Sequence, residues 1–293
     1  MCKSINLKRL SYKSIFIFIS LLFVFGCNNN DVIEIRDDHK STETCISLVS
    51  EFLSTFDIVK DVITSEQIFN PEHLSVLPVY AEIVYEDTTF TDGDGMDILI
   101  KFGELGSTPH GLLCRDNKYR SGSILLSLDQ DYFLNNSTLK ITLSAEDPFY
   151  SGNGEDMTQL IGGMNFQRLG TDHVNVKCNE FKLVNSYADM SMNTDLDIIE
   201  IKSNSSINSS DHICVGGNIE LSDGNESAIF TIISPLQKQS DYDCLRFISN
   251  GQIRVDKSST ISEIVVDFDP HQDLGCDQLI SITTNGKRIF THY

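Results

Sequence analysis

The chain has 293 residues, 42 acidic against 22 basic side chains, and a formal net charge of −20. A field of that sign repels nucleic acid and anionic lipid head groups, which excludes a nucleic-acid-binding role. The length and the 40% apolar content suffice for the core of one large β unit or two modest domains.

Lys3, Lys8, Arg9 and Lys13 precede an apolar run from Ile15 to Phe25 that only Ser20 interrupts. The run falls short of the ~20 residues that a spanning helix needs, and the arrangement is that of a secretory signal. Val24-Phe25-Gly26-Cys27 closes it and resembles the lipobox of bacterial lipoproteins. The resemblance implies cleavage after Gly26 and lipidation of Cys27, with acylation of the new amino terminus and a lipid bilayer as partner. Several acyl chains hold a protein stably where one does not. Plain secretion and a membrane span are the weaker alternatives, because Cys beside Gly26 is hard to get by chance. Asn28, rather than an Asp, follows the Cys, which fits outer-membrane sorting; the periplasmic or surface-exposed side is left open.

Residues 1–26 are therefore expected to be the signal peptide, and 27–42 a polar, tethered spacer. Apolar residues then recur at helical spacing over Glu43 to Thr64: Cys45, Leu48, Val49, Phe52, Leu53, Phe56, Val59 and Ile63. Ser41, Thr42 and Thr44 offer N-caps. This stripe predicts one amphipathic helix with a packing face.

From Val79 the period changes to two. Val79–Tyr85, Asp97–Phe102, Ser123–Leu128, Thr138–Leu143, Val174–Cys178 and Leu196–Ile201 read as strands bounded by Gly, Asn, Asp and Ser. Gly162-Gly163 interrupts a further apolar patch, and Ser203 to Ser210 is low in complexity. Ile213–Leu221, Ala228–Ile233, Cys244–Ile248, Gln252–Val255, Ile264–Phe268, Leu279–Thr283 and Arg288–His292 continue the series. Short strands at ~10-residue spacing argue a mainly β protein of antiparallel sheets, sandwich-like or stacked. An echo between Asp97–Asp116 and Ile264–Asp277 suggests two related β-units, over 43–202 (with the helix) and 211–293.

The helix with Phe52 and Phe56, Ile98–Gly103, Tyr119–Ile124, Ile161-Gly-Gly163, Ile233–Leu236, Cys244–Ile253, Val266-Asp-Phe268 with Gly275-Cys276-Asp277, and Asn285-Gly-Lys287 succeed one another in order. In these pieces the chain resembles a group of uncharacterised Bacteroidota lipoproteins. Asp269 stands where that group tends to have Gly, and the loop Gly103–His110 is longer. The resemblance implies a lipid-anchored, extracytoplasmic β-protein of the outer membrane and no particular activity.

Chemistry is sparse. With Cys2 removed and Cys27 lipidated, six cysteines remain: Cys45, Cys114, Cys178, Cys214, Cys244 and Cys276. None form CxxC, and an even number in an oxidising compartment predicts disulfides. Cys244–Cys276 has the best local case, since the strand and turn between them let the chain return; Cys178–Cys214 and Cys45–Cys114 follow by elimination. Asp92, Asp94 and Asp97 form an oxygen-rich turn suited to Ca²⁺, but Met96 and Gly103 occupy EF-hand ligand positions. Asp267, Asp269, Asp273 and Asp277 surround His271 in a second acidic cluster; solvated turns account for both. No HExxH, GxSxG elbow, P-loop or GxGxxG stands before a helix, so no catalytic residue, resident metal or cofactor is assigned. The expected function is a non-enzymatic binding or structural module of the cell envelope, its protein or glycan partner open. The alternative is a hydrolase that uses paired carboxylates on envelope or imported glycans. The lack of Trp weakens glycan binding, although nine Tyr could serve instead.

Overall fold

The computed structural model describes residues 30–64, 77–78, 80–86, 90, 93, 95–202, 212–239, 248–259 and 262–292, with helix side chains described at 42–60 and 62–63. Among the described residues one helix, α1 (Asn30–Thr64), precedes sixteen strands of a single antiparallel sheet. Residues 1–40 and 41–293 are separate compact units, and the whole sheet belongs to the second.

The helix begins at Asn30 instead of near Glu43, so Ser41, Thr42 and Thr44 lie inside it and are not caps. Neither Gly nor Pro occurs between Asn28 and Thr64 to stop it.

Within α1, Cys45, Ile46, Leu48, Val49, Phe52, Leu53, Phe56, Ile58, Val59, Val62 and Ile63 are all buried. Ser47 is the exposed one among its described side chains. A helix that is covered on nearly every side must sit inside a fold, not on its surface. The sheet supplies the cover. Its main path runs β1 (Glu82–Tyr85), β2 (Met96–Lys101), β5 (Ser123–Leu128), β6 (Thr138–Leu143), β8 (Met157–Arg168), β9 (His173–Val184), β10 (Asp189–Ile201), β11 (His212–Ser222), β12 (Ser227–Gln239), β13 (Asn250–Lys257), β14 (Ile264–Asp267), β15 (Leu279–Thr284) and β16 (Lys287–His292). A branch of β3 (Leu112–Leu113), β4 (Tyr119–Ser121) and β7 (Phe149–Gly152) joins it at β8.

Along β10, buried Met192, Thr194, Leu196 and Ile198 alternate with exposed Asn193, Asp195, Asp197 and Ile199. One face of the sheet is therefore apolar and the other solvated. The apolar face closes on α1, where Phe52 meets Phe181 edge-on at 5.4 Å and Phe56 stacks on Phe166 at 5.3 Å. The mainly β, antiparallel reading with one helix holds. The apolar face is covered by the helix, where a sandwich would place a second sheet.

Such wrapping requires curvature. Register shifts fall between Ile161 and Met164 (β8–β9), Met192 and Thr194 (β9–β10), and Val215 and Asn218 (β11–β12). Bulges raise local twist and bend a sheet. Gly162-Gly163, an interruption by its sequence pattern, is one of them, inside a continuous twelve-residue strand. Gly217 is at another, with φ +115, and a Cβ there would overlap the Asp195 carbonyl.

The boundary expected near Ser203–Ser210 falls between β10 and β11, which pair from Ser191↔Ser222 to Ile201↔His212. Of the echoed segments, β2 pairs with β1 and β5, and β14 with β13 and β15. Val79 and 244–247, parts of two expected strands, lie outside the described residues.

Candidate functional site: a polar cleft beside the helix

A buried ion pair organises a polar hollow beside the helix. Its anchor is the turn between β3 and β4, where the Cys114 amide donates to the Lys118 carbonyl at 2.8 Å and Asn117 takes φ +60. Asp116 and Arg120 lock this turn through two parallel bonds of 2.7 and 2.6 Å, with the Arg120 side chain wholly buried. Burial pushes the Asp116 carboxyl up, but the Arg120 guanidinium outweighs it and holds it below its ordinary value. Asp116 also accepts the Lys118 amide at 3.3 Å, which sets where the Lys118 side chain leaves the turn.

Lys118 Nζ then meets Glu51 Oε1 at 3.0 Å, with side-chain exposures of only 6% and 14%. Ser151 on β7 donates its hydroxyl to Glu51 Oε2 at 2.7 Å. Burial raises the Glu51 carboxyl, but the Lys118 ammonium, the Ser151 hydroxyl and the Arg120 charge together bring it below its ordinary value. Glu51 is thus a fixed carboxylate with both oxygens engaged.

Above this pair lies a cleft of about 290 Å³. Ser47, Ser50 and Glu51 come from α1, Lys118 from the β3–β4 turn, Asn153, Asp156 and Thr158 from the β7–β8 hairpin, and Asn185 and Tyr187 from the β9–β10 turn. Gln278 completes the rim. The two asparagines are held by their own turns. Asn153 Oδ1 accepts the amides of Glu155 and Asp156 at 2.8 and 2.7 Å. Asn185 Oδ1 accepts those of Tyr187 and Ala188, both at 2.8 Å. Tyr187 is 76% exposed. It also lines a second hollow of about 370 Å³, with Thr44, Cys45, Ala188, Asp189, Met190 and Asp223.

None of these cleft residues stands out as a site in the sequence. One signal is present there: Ser47, Ser50, Glu51, Ser54 and Asp57 recur at helical spacing opposite the apolar stripe. A polar stripe on a helix ordinarily means a solvated face; here it meets buried charges. Asp57 contacts Lys238 of β12, and Lys60 meets Glu200 of β10 at 3.2 Å.

The expected sites fare differently. Gly26, Cys27, Asp92 and Asp94 lie outside the described residues, and the Asp97 carbonyl accepts the Glu86 amide beside β1. Among the described residues, no group of three or more His, Cys, Asp or Glu is placed to hold a metal. The second acidic cluster spends its carboxylates on its own loop: Asp269 accepts from the amides of Asp273 and Leu274, Asp273 from Gly275, and Asp277 from Leu279. His271 stacks on Phe290 instead of facing those acids as a ligand set.

Two expected disulfides are corrected. Cys45, Cys114, Cys178 and Cys214 are free. Cys178 lies opposite Thr194 on one side of β10, and Cys214 opposite Ile199 on the other. Strands two apart are separated by ~9.6 Å, beyond the ~7 Å that a disulfide spans between Cα atoms. Cys45 is buried near Lys257 and Asp223, whereas Cys114 lies beside Arg120 and points its thiol at the Leu112 carbonyl. Cys276 is not among the free thiols, and its expected partner Cys244 lies outside the described residues.

The fold and cleft define an open antiparallel sheet wrapped on a central helix, with a preformed polar hollow at one flank. No family model matches the chain, and no curated protein or solved structure matches it significantly. Among the described residues no helix is long and apolar enough to cross a membrane.

Proposed function

We propose that this protein is a non-enzymatic binding module of the bacterial cell envelope, tethered through acylated Cys27 and directed to the outer membrane. The observation that carries the binding part is the state of Glu51. Of the two carboxylates that line the cleft, Glu51 is the more buried, and Lys118 and Ser151 occupy both its oxygens and hold it below its ordinary value. A group so held is a poor proton donor, and a general acid needs its pKa raised toward the working pH. What supports the rest is a preformed hollow that presents fixed hydroxyls and amides, the groups that set a ligand's orientation in small-molecule sites. The signal segment and the lipobox-like Val24–Cys27 support the location.

The test is to incubate the purified protein with a panel of glycans, peptidoglycan fragments and peptides, tracking both binding and product formation. Saturable binding without turnover is expected. Turnover that one Asp or Glu substitution abolishes would replace this reading with the carboxylate-dependent hydrolase.

A further inference from the structure

The chemistry of the cleft narrows the ligand, on the premise that the protein is a binding module. We infer that the two hollows joined by Tyr187 form one groove for a neutral oligosaccharide, with the Tyr187 ring as the stacking platform between two subsites.

Three observations converge. The first is the pair of locked amides. Because the Oδ1 atoms of Asn153 and Asn185 each accept two backbone N–H groups of their own turns, their Nδ2 groups are left as the donors on the other side. Asn185 Nδ2 spends one hydrogen on Thr158 Oγ1 at 3.4 Å. These donors are fixed before any ligand arrives, which spares the cost of ordering them on binding.

The second is the mixture of partners. Fixed amide donors stand beside acceptors and two-way groups, namely Asp156, Ser47, Ser50 and Gln278. A sugar hydroxyl both donates and accepts, so it can satisfy both kinds at once. An ammonium group only donates and leaves the amides unmet. An anion meets a worse field: the Lys118 charge is already matched by Glu51, and Asp156, Asp189 and Asp223 add negative charge along the two hollows.

The third is the exposed ring. Tyr187, 76% exposed, stands between Asn185, which holds its amide, and the second hollow. An aromatic face presented to solvent at the junction of two polar hollows can cover the C–H face of a sugar ring, while the flanking units reach either side. In a chain without Trp this ring supplies the flat apolar surface such a ligand needs.

The experiment is calorimetric titration of the purified protein with neutral tetrasaccharides of glucose, mannose, galactose and N-acetylglucosamine. The corresponding monosaccharides, spermidine, oligogalacturonate and a neutral tetrapeptide are titrated beside them. At least one neutral tetrasaccharide should bind saturably, roughly tenfold or more tighter than its monosaccharide. Tyr187→Ala and Asn153→Ala should each weaken it by roughly tenfold, while Tyr80→Ala, another exposed tyrosine, leaves it unchanged. Circular dichroism of each variant separates lost binding from lost folding. No binding by any neutral saccharide, equal affinity for the monosaccharide, or insensitivity to Tyr187→Ala overturns the inference. Spermidine, peptide or oligogalacturonate bound in a Tyr187-dependent way, with no neutral saccharide bound, overturns it but leaves the binding-module reading intact. Turnover of a saccharide overturns that reading itself.

Discussion

Glu51, near the middle of the central helix, and Lys118, at the tip of a short hairpin, meet at 3.0 Å with almost no exposure of either side chain. This contact ties the branch of the sheet to the helix and forms the floor of the cleft. Breaking a buried pair on one side leaves an unmatched charge and costs about 3–5 kcal/mol, whereas removing both charges costs far less. Lys118→Met is therefore expected to destabilise by that order, and Lys118→Met with Glu51→Gln to recover most of it. Urea denaturation of the three proteins checks this; equal stability of single and double variants would show that the pair is not coupled.

The same pair gives a pH dependence. The folded Glu51 carboxyl lies below its ordinary value of 4.5, so the unfolded chain binds the proton more readily. Its contribution is present above about pH 4.5 and is lost as pH falls through the lower folded value. Wild-type stability should fall across that acid window, and Glu51→Gln should show a shallower fall. Parallel curves for the two proteins would contradict the assignment.

Asp57 and Lys238 make a second charged contact between the helix and β12. Burial pushes the Lys238 ammonium down to about 7, with the Glu51 charge working the other way. For a lowered lysine, the cost of the charged form is present in full below the folded pKa and is relieved as pH rises toward 10.5. Asp57→Asn removes the neighbouring carboxylate, so it should destabilise more near pH 6 than near pH 9. Thermal unfolding at the two values measures the difference, and a loss independent of pH would refute it.

Curvature at the bulges should be sensitive to a single methyl group. Gly217→Ala places a Cβ against the Asp195 carbonyl at φ +115 and is expected to cost about 2 kcal/mol or more. Gly224→Ala, at φ +88 in a hairpin turn with open space around it, should cost only about 1 kcal/mol. Chemical denaturation ranks them, and a reversed order would deny that the bulge is tightly packed.

The thiols separate by environment. Burial pushes Cys45 up to about 11 and also raises Cys114, Cys178 and Cys214, of which Cys214 alone is only half-buried. In the native protein Cys214 should react first with an alkylating reagent near pH 8, and the other three only on unfolding. A non-reducing peptide map is expected to join Cys244 to Cys276; finding Cys276 with another partner, or as a free thiol, would end that assignment. For the anchor, a fatty-acid analogue should label wild type and not Cys27→Ser.

The types of the elements are written in the local residue pattern. Period-two alternation in Ser123–Leu128 and Thr138–Leu143 matches the strands to the residue, and the stripe from Cys45 to Ile63 marks the helix interior. Periodicity reports which face is buried, because burial is a local demand on each side chain. It does not report what does the burying. That the helix lies within the sheet, that Gly162-Gly163 bends a strand instead of ending it, and that β7 and β4 form a branch are consequences of long-range packing. The cleft is illegible in the sequence for the same reason. Glu51, Lys118, Asn153, Asn185 and Tyr187 come from separate turns and the helix, and each alone resembles an ordinary surface residue. Only the packing of the sheet against α1 brings them together, where burial turns a Glu and a Lys that are distant in sequence into a single fixed pair.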